Sequence, residues 1–297
     1  HLITIRTEGQ SFYLRPSKDI NRIIGGVIAR YQEIFKVKIF AFTVMSNHMH
    51  IVAQAPEGNL DEFMENVDRE IARRINYKHR RRGRFWSRRY RAQAIVNEAD
   101  LEEAFLYTVT NSVKHGGAKH PENWPGLCSY EQTLTEKPKR YSFYHYSEPD
   151  EDKRVTYHDL NVMPLPRLKD LAPKERTKII SELIEVRTNE LVDLRRSKGQ
   201  GFLTPEQVRE IDPFSTPRES NRSSSGNCYS KDAAVIREYK LIEARKRISY
   251  ALASLRFRLG ELTTVFPDFT FKPPLHRKPR LCPFTVLPED YFVAQTA

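Results

Sequence analysis

The first 115 residues switch repeatedly between two hydrophobic periods, and the order of those switches limits the folds open to the chain. His1–Thr7 (HLITIRT) alternates and carries β-branched residues, as a strand does. Ser17–Phe35 repeats Ile20, Ile23, Ile24, Val27 and Ile28 at helical spacing, with Ser17 placed to cap it. Val37–Met45 and His48–Ala53 read as strands joined by a tight turn at Ser46-Asn47. Asn59–Tyr77 reads as a helix, Phe85–Val96 as extended and Ala99–His115 as a second amphipathic helix. Strand, helix, two strands, helix, strand, helix predicts an α+β fold: an antiparallel sheet with helices packed on it, compatible with a ferredoxin-like plan.

Beyond residue 130 the pattern changes. Residues 136–160 are rich in Lys, Tyr, Asp and Glu without clear periodicity. Lys174–Arg196 and Asp232–Leu259 read as long helices, and Thr204-Pro205-Glu206-Gln207 as a capping box with proline in the first turn. Pro213–Lys231 contains SNRSSSGN and reads as a linker. Phe266–Arg280 mixes prolines with Lys272, His276, Arg277, Lys278 and Arg280 and reads as an extended basic arm. The expected division is a domain over 1–135, a connecting segment over 136–165, and a mostly helical region over 166–297 with the linker near 213–231.

Charge narrows the partners. There are 49 Lys and Arg against 38 Asp and Glu, a net charge of +11, which suits a polyanion. Residues 69–91 hold eleven Lys or Arg and one acid, Glu70. Tyr77, Phe85, Trp86 and Tyr90 are interleaved with them. Cations meet phosphates and aromatic faces stack on unpaired bases, so this segment is expected to bind nucleic acid. The residues carrying that expectation are Arg73, Arg74, Lys78, Arg80, Arg81, Arg82, Arg84, Trp86, Arg88, Arg89 and Arg91. Cys128, Cys228 and Cys282 are too few and too scattered for a disulfide framework or a zinc cluster, which fits a reducing cytoplasm. No apolar run approaches the ~18 residues of a membrane span. No signal peptide is visible, and the sequence opens at His1 rather than Met, so a targeting segment ahead of it would escape this reading.

Two local patterns carry possible chemistry. In a strand, His48 and His50 face the same way, about 7 Å apart by strand rise, and can converge on one metal ion. On the helix over 99–115, Leu101, Phe105, Val109 and Val113 form the apolar stripe, while Glu103, Tyr107, Asn111 and Lys114 form a polar one. Tyr107 and Asn111 are then neighbours one turn apart. On periodicity alone each pattern reads as structural before it reads as catalytic.

Taken in order, these residues resemble a known family. Ser46-Asn47-His48-Met49-His50-Ile51-Val52 resembles the His-hydrophobic-His strand of single-tyrosine "HUH" transposases. Gly83-Arg84-Phe85-Trp86-Ser87-Arg88-Arg89-Tyr90 is similar to the Gly-x-x-Trp-x-x-Arg-Phe/Tyr strand of the REP-associated tyrosine transposases. The run from Tyr107 through Asn111, Val113 and Lys114 to Gly116 is similar to their Tyr-x-x-x-Asn-Pro-Val-Arg-Ala-Gly helix end, and Trp124-Pro125 with Ser129-Tyr130 to their closing segment. Ser46 and Ser112 stand where the family has proline. The resemblance covers about residues 1–130.

The resemblance implies cleavage and rejoining of single-stranded, hairpin-bearing DNA through a 5′-phosphotyrosine on Tyr107. It implies Mg²⁺ or Mn²⁺ held by His48, His50 and Asn111, with Lys114 among the DNA-binding residues. It implies a bacterial, nucleoid-associated cytoplasmic protein, read as a monomer with a dimer left open. Three other readings share these features: a catalytically silent DNA-binding protein of the same fold, a metal-dependent nuclease using water, and an RNA-associated basic protein.

Overall fold

The computed structural model describes residues 1–217, 226–261 and 263–267. Strands Leu2–Arg6 (β1), Lys38–Val44 (β2), His48–Gln54 (β3) and Arg91–Gln93 (β4) form one antiparallel sheet in the order β2-β3-β1-β4. Helix Lys18–Phe35 (α1) joins β1 to β2, and helix Leu60–Lys78 (α2) joins β3 to β4. That connectivity and order make the ferredoxin-like plan. The Ser17 side chain accepts from the Ile20 N–H at 3.2 Å, capping α1, and Lys36 ends it in the left-handed region at φ 52°.

Alternation along β3 sorts its residues between two cores. Met49, Ile51 and Ala53 join Ile3, Ile5 and the apolar stripes of α1 and α2 on one face. Val52 joins Leu2, Phe40 and Ala41 on the other, under helices Glu98–Val109 (α3) and Pro173–Ser197 (α6). Phe40 and Ala41 both reach that second core because the β2–β3 register shifts between Ile39 and Ala41. His48 and His50 share the face of Val52 and therefore lie on the α3 side.

The structure departs from the sequence reading in four places. The helix expected over 99–115 is two, α3 and Asn111–Lys114 (α4). The Thr110 hydroxyl donates to the Leu106 carbonyl at 2.6 Å, and Val113 N–H bonds back to Thr110 O, tightening the turn there. Of the extended segment expected over 85–96, only β4 is strand, with Trp86 bridged singly to Thr7. Residues 136–165 contain a hairpin, Lys139–Tyr144 (β5) with Val155–Leu160 (β6), whose Tyr141, Phe143 and Leu160 complete the α1/α2 core. Part of the expected linker is docked: Asn227–Tyr229 pairs with Ala94 at the end of β4.

Tyr130–Thr135 (α5) precedes the hairpin, and Pro205–Glu210 (α7) follows α6 with a complete Thr204–Gln207 capping box. Val208 of α7 packs with Met45, Ala118 and Trp124 in a small third cluster. Among the described residues the last helix is Ala233–Arg258 (α8). Contacts divide the chain into His1–Lys240 and Leu241–Ala297. Within the latter, Tyr250 and Phe257 meet the Phe266 ring at 5.9 and 5.7 Å. The basic arm expected over 266–280 lies outside the described residues from 268 onward. Cys128 and Cys228 are free thiols. Among the described residues no helix is long and apolar enough to cross a membrane.

Candidate active site

β3 and the α3–α4 junction bring His48, His50, Tyr107 and Asn111 to one place. The His48 and His50 rings are 5.0 Å apart between centroids, and His50 meets Tyr107 edge-on at 5.2 Å. His48 Nε2 lies 3.3 Å from Asn111 Oδ1. Thr43 fixes this packing: its hydroxyl donates to the Thr108 carbonyl at 2.7 Å, tying α3 to β2 beside the His50 register position.

The other nitrogen of each imidazole has a neighbour of its own. Asn47 Oδ1 is 2.7 Å from His48 Nδ1, and Thr4 Oγ1 is 2.9 Å from His50 Nδ1. With Nδ1–H donating to these oxygens, each Nε2 keeps its lone pair, the arrangement a metal-binding histidine needs. Burial holds both rings neutral: His48 is pushed down to about 3 and His50 well below its ordinary value. Asn111 is fully buried, and its Nδ2 has no hydrogen-bond partner. Two neutral imidazoles and a carboxamide oxygen fit a divalent cation of borderline or hard character. Among the described residues no group of three or more His, Cys, Asp and Glu forms such a site, so Asn111 is needed to complete it.

Tyr107 is a half-buried phenol. Burial raises its pKa, while the Asn111 side chain and the Arg6 guanidinium pull the other way. Lys114 Nζ lies 4.4 Å from the centre of the Tyr107 ring, a cation–π contact. Burial lowers the Lys114 pKa.

A groove of about 1480 Å³ opens beside this cluster. His50 and Tyr107 line it, together with Arg88, Arg89, Tyr90 and Arg91 and with Gly226–Ser230. Arg88, Arg89 and Arg91 are exposed. The other basic residues singled out in the sequence do not line the groove.

Some of these residues have structural partners. Arg74 is a correction: it is 5% exposed, its guanidinium pairs with Glu70 at 2.9 Å, donates to the Tyr144 carbonyl at 2.8 Å and packs on Phe143 at 4.0 Å. It ties α2 to the β5–β6 hairpin and is not free to meet a phosphate. Trp86 likewise uses its indole N–H on the Asp68 carbonyl at 2.9 Å and packs against Phe85. Arg81 bonds to Asn76 and the Arg84 carbonyl and covers Tyr13 at 4.1 Å. Lys78 pairs with Asp19 and Arg84 with Glu8, while Arg73 shares Glu70. Arg80 and Arg82 lie exposed.

The structure also adds residues that the sequence reading passed over. His115 meets His48 edge-on at 5.5 Å; it stands four residues after Asn111, a spacing that could have flagged it. Thr4 and Asn47 gave no signal of their own. Tyr229 lies 6.3 Å from the Tyr107 ring. No local pattern could have revealed it, because it arrives from a distant part of the chain.

This antiparallel sheet with paired histidines beside a helix tyrosine has counterparts among known proteins. Residues 7–107 match the family model described as "Transposase IS200 like", so this part of the chain is similar to that family. The matched span contains His48, His50 and Tyr107 and ends before Asn111. The chain is distantly similar to the REP-associated tyrosine transposase of Escherichia coli (strain K12), at 34% identity over 98 residues. That alignment covers 31% of this chain, and the chain spans 58% of the relative's length. A solved structure described as the REP-associated tyrosine transposase bound to a REP hairpin covers 45% of this chain and 77% of its own, at 25% identity and a TM-score of 0.38.

Proposed function

We propose that this protein cleaves and rejoins single-stranded DNA that carries hairpins, with Tyr107 as nucleophile. The observation that supports it most is that His48 meets both His50 and Asn111 while His50 packs on the Tyr107 ring. The Tyr107 oxygen attacks a backbone phosphorus and a P–O bond to the 3′ oxygen breaks. A 5′-phosphotyrosine and a 3′-hydroxyl result, and the phenol's proton is passed to solvent. Attack by a 3′-hydroxyl reverses the step, so the phosphodiester energy is conserved and no nucleotide is consumed.

His48, His50 and Asn111 would hold a divalent cation, Mg²⁺ or Mn²⁺, which supplies positive charge to a non-bridging phosphate oxygen. Asn47 and Thr4 orient the imidazoles for that task. Lys114 places a cation against the phenol, where positive charge favours the phenolate. Arg88, Arg89 and Arg91 line the groove and meet the phosphates of an extended strand. The similarity to a REP-associated tyrosine transposase supports REP-like palindromic DNA as the substrate class.

Incubation with labelled hairpin DNA and Mg²⁺ or Mn²⁺ tests the reading. The wild-type protein should form a covalent adduct that survives denaturation, and Tyr107→Phe should form none. Adduct on the Phe variant would show another nucleophile. Cleavage without adduct, retained in Tyr107→Phe and lost in His48→Ala, would show a water-using nuclease.

A further inference from the structure

We propose that Tyr229 is the stacking platform for an unpaired base next to the cleaved phosphate in the active-site groove. The proposal rests on reading that groove as the path of a single DNA strand. Arg88, Arg89 and Arg91 line the groove together with His50 and Tyr107. A segment far along the chain, Gly226–Ser230, lines the same groove. A strand with one phosphate at Tyr107 and its neighbours on the arginines has its bases available to the remaining groove side chains. Tyr229 is one of these, and its ring centre lies 6.3 Å from that of Tyr107.

The ring is held by its backbone. Ala94 N–H donates to the Asn227 carbonyl at 2.8 Å, and Tyr229 N–H donates to the Ala94 carbonyl at 2.8 Å. Gln93 adds a longer bond to the Cys228 carbonyl at 3.4 Å. Lys231, just beyond, pairs with Glu103 of α3 at 2.9 Å. The half-buried ring packs against the α3 core, so little freedom is left to lose when a base stacks on it. Its surroundings do not suit a second nucleophile. Tyr107 lies beside Lys114, whereas Tyr229 has Glu103 near it, and burial with that negative charge keeps the phenol protonated. The face of the ring, rather than its hydroxyl, is what it offers a base.

The experiment uses the full chain in a Tyr107→Phe background, so that chemistry is blocked. The probe is a hairpin oligonucleotide with single-stranded flanks, carrying 2-aminopurine at each flank position in turn. Binding should quench fluorescence at one flank position. Adding Tyr229→Ala should abolish that quench and weaken the flanked hairpin about tenfold, while a blunt hairpin binds as before. Tyr229→Phe should keep the quench, because the ring is kept. A quench that survives Tyr229→Ala, or one that Tyr229→Phe also loses, overturns the proposal. Circular dichroism melts of both variants separate lost stacking from lost folding. Failure of the wild-type protein to form an adduct would overturn the proposed reaction instead, and the quench would still decide the role of Tyr229.

Discussion

Two buried imidazoles, a third exposed one, a half-buried phenol and a buried carboxamide meet at one site, and desolvation sets their chemistry. His48 at about 3 and His115 at about 4 stay neutral at physiological pH, so their nitrogen lone pairs are open to a cation. The oxygens of Asn47 and Thr4 choose which nitrogen that is. Asn47→Ala or Thr4→Val should weaken Mn²⁺ binding about 10- to 100-fold in calorimetry with the fold intact. Unchanged affinity in both would remove these residues from the proposed metal site. A different buried group, Asp68, carries a pH signature. Burial pushes its carboxyl well above the ordinary 3.8, against the pull of Arg89, and its Oδ1 has no hydrogen-bond partner. The folded state therefore holds that proton more tightly than the unfolded chain. The linked stability is full below the unfolded value and is lost as pH rises through the folded one. Asp68→Asn should stabilise by about 1–3 kcal/mol at pH 8, with a smaller gain at pH 4, in thermal melts. A larger gain at pH 4 would contradict the assignment.

At the scale of elements, α1 lies against the β5–β6 hairpin with no room to spare. A β-carbon at Gly26 would land on the Ser142 carbonyl oxygen, and one at Gly25 on the Tyr141 ring. Gly→Ala inside a helix ordinarily stabilises by about 1 kcal/mol. Gly26→Ala should instead destabilise by about 1–3 kcal/mol in urea unfolding, because backbone cannot swing aside as a side chain can. The hairpin itself was partly legible. Tyr141 and Phe143 alternate inward while Arg140 and Tyr144 face out, a two-residue period diluted by charge and by tyrosine on both faces. The helices of the first domain were easier to read, since their apolar stripes persist for several turns. The break at Thr110 was hidden, because it depends on one hydroxyl choosing a carbonyl.

At the scale of the molecule, Glu103 gathers distant segments around the site. Arg187 of α6 donates to both of its oxygens, at 3.1 and 2.5 Å, and Lys231 pairs with it at 2.9 Å. Glu103→Gln should loosen the segment ahead of α8 by on the order of 1 kcal/mol. Limited proteolysis should then cut there faster than in the wild type; an unchanged rate would show that the backbone pairing with Ala94 suffices. The charge of the whole chain has its own test. Arg88→Ala and Arg89→Ala should each weaken single-stranded DNA binding and lower the slope of log affinity against log salt by about 1, whatever the DNA sequence.

What the sequence determined alone is the order of elements from β1 to α3, the side of β3 on which His48 and His50 lie, and the one-turn spacing of Tyr107 and Asn111. Each follows from a period fixed by backbone geometry, 2 for strands and 3.6 for helices. The tertiary structure decided which groups meet across those elements. It turned Arg74 inward onto Glu70 while leaving Arg88, Arg89 and Arg91 on the groove, and it brought Tyr229 beside Tyr107. Charge and composition are alike among those arginines. Their surroundings differ, and surroundings come from contacts between residues far apart in the chain, which no local period encodes.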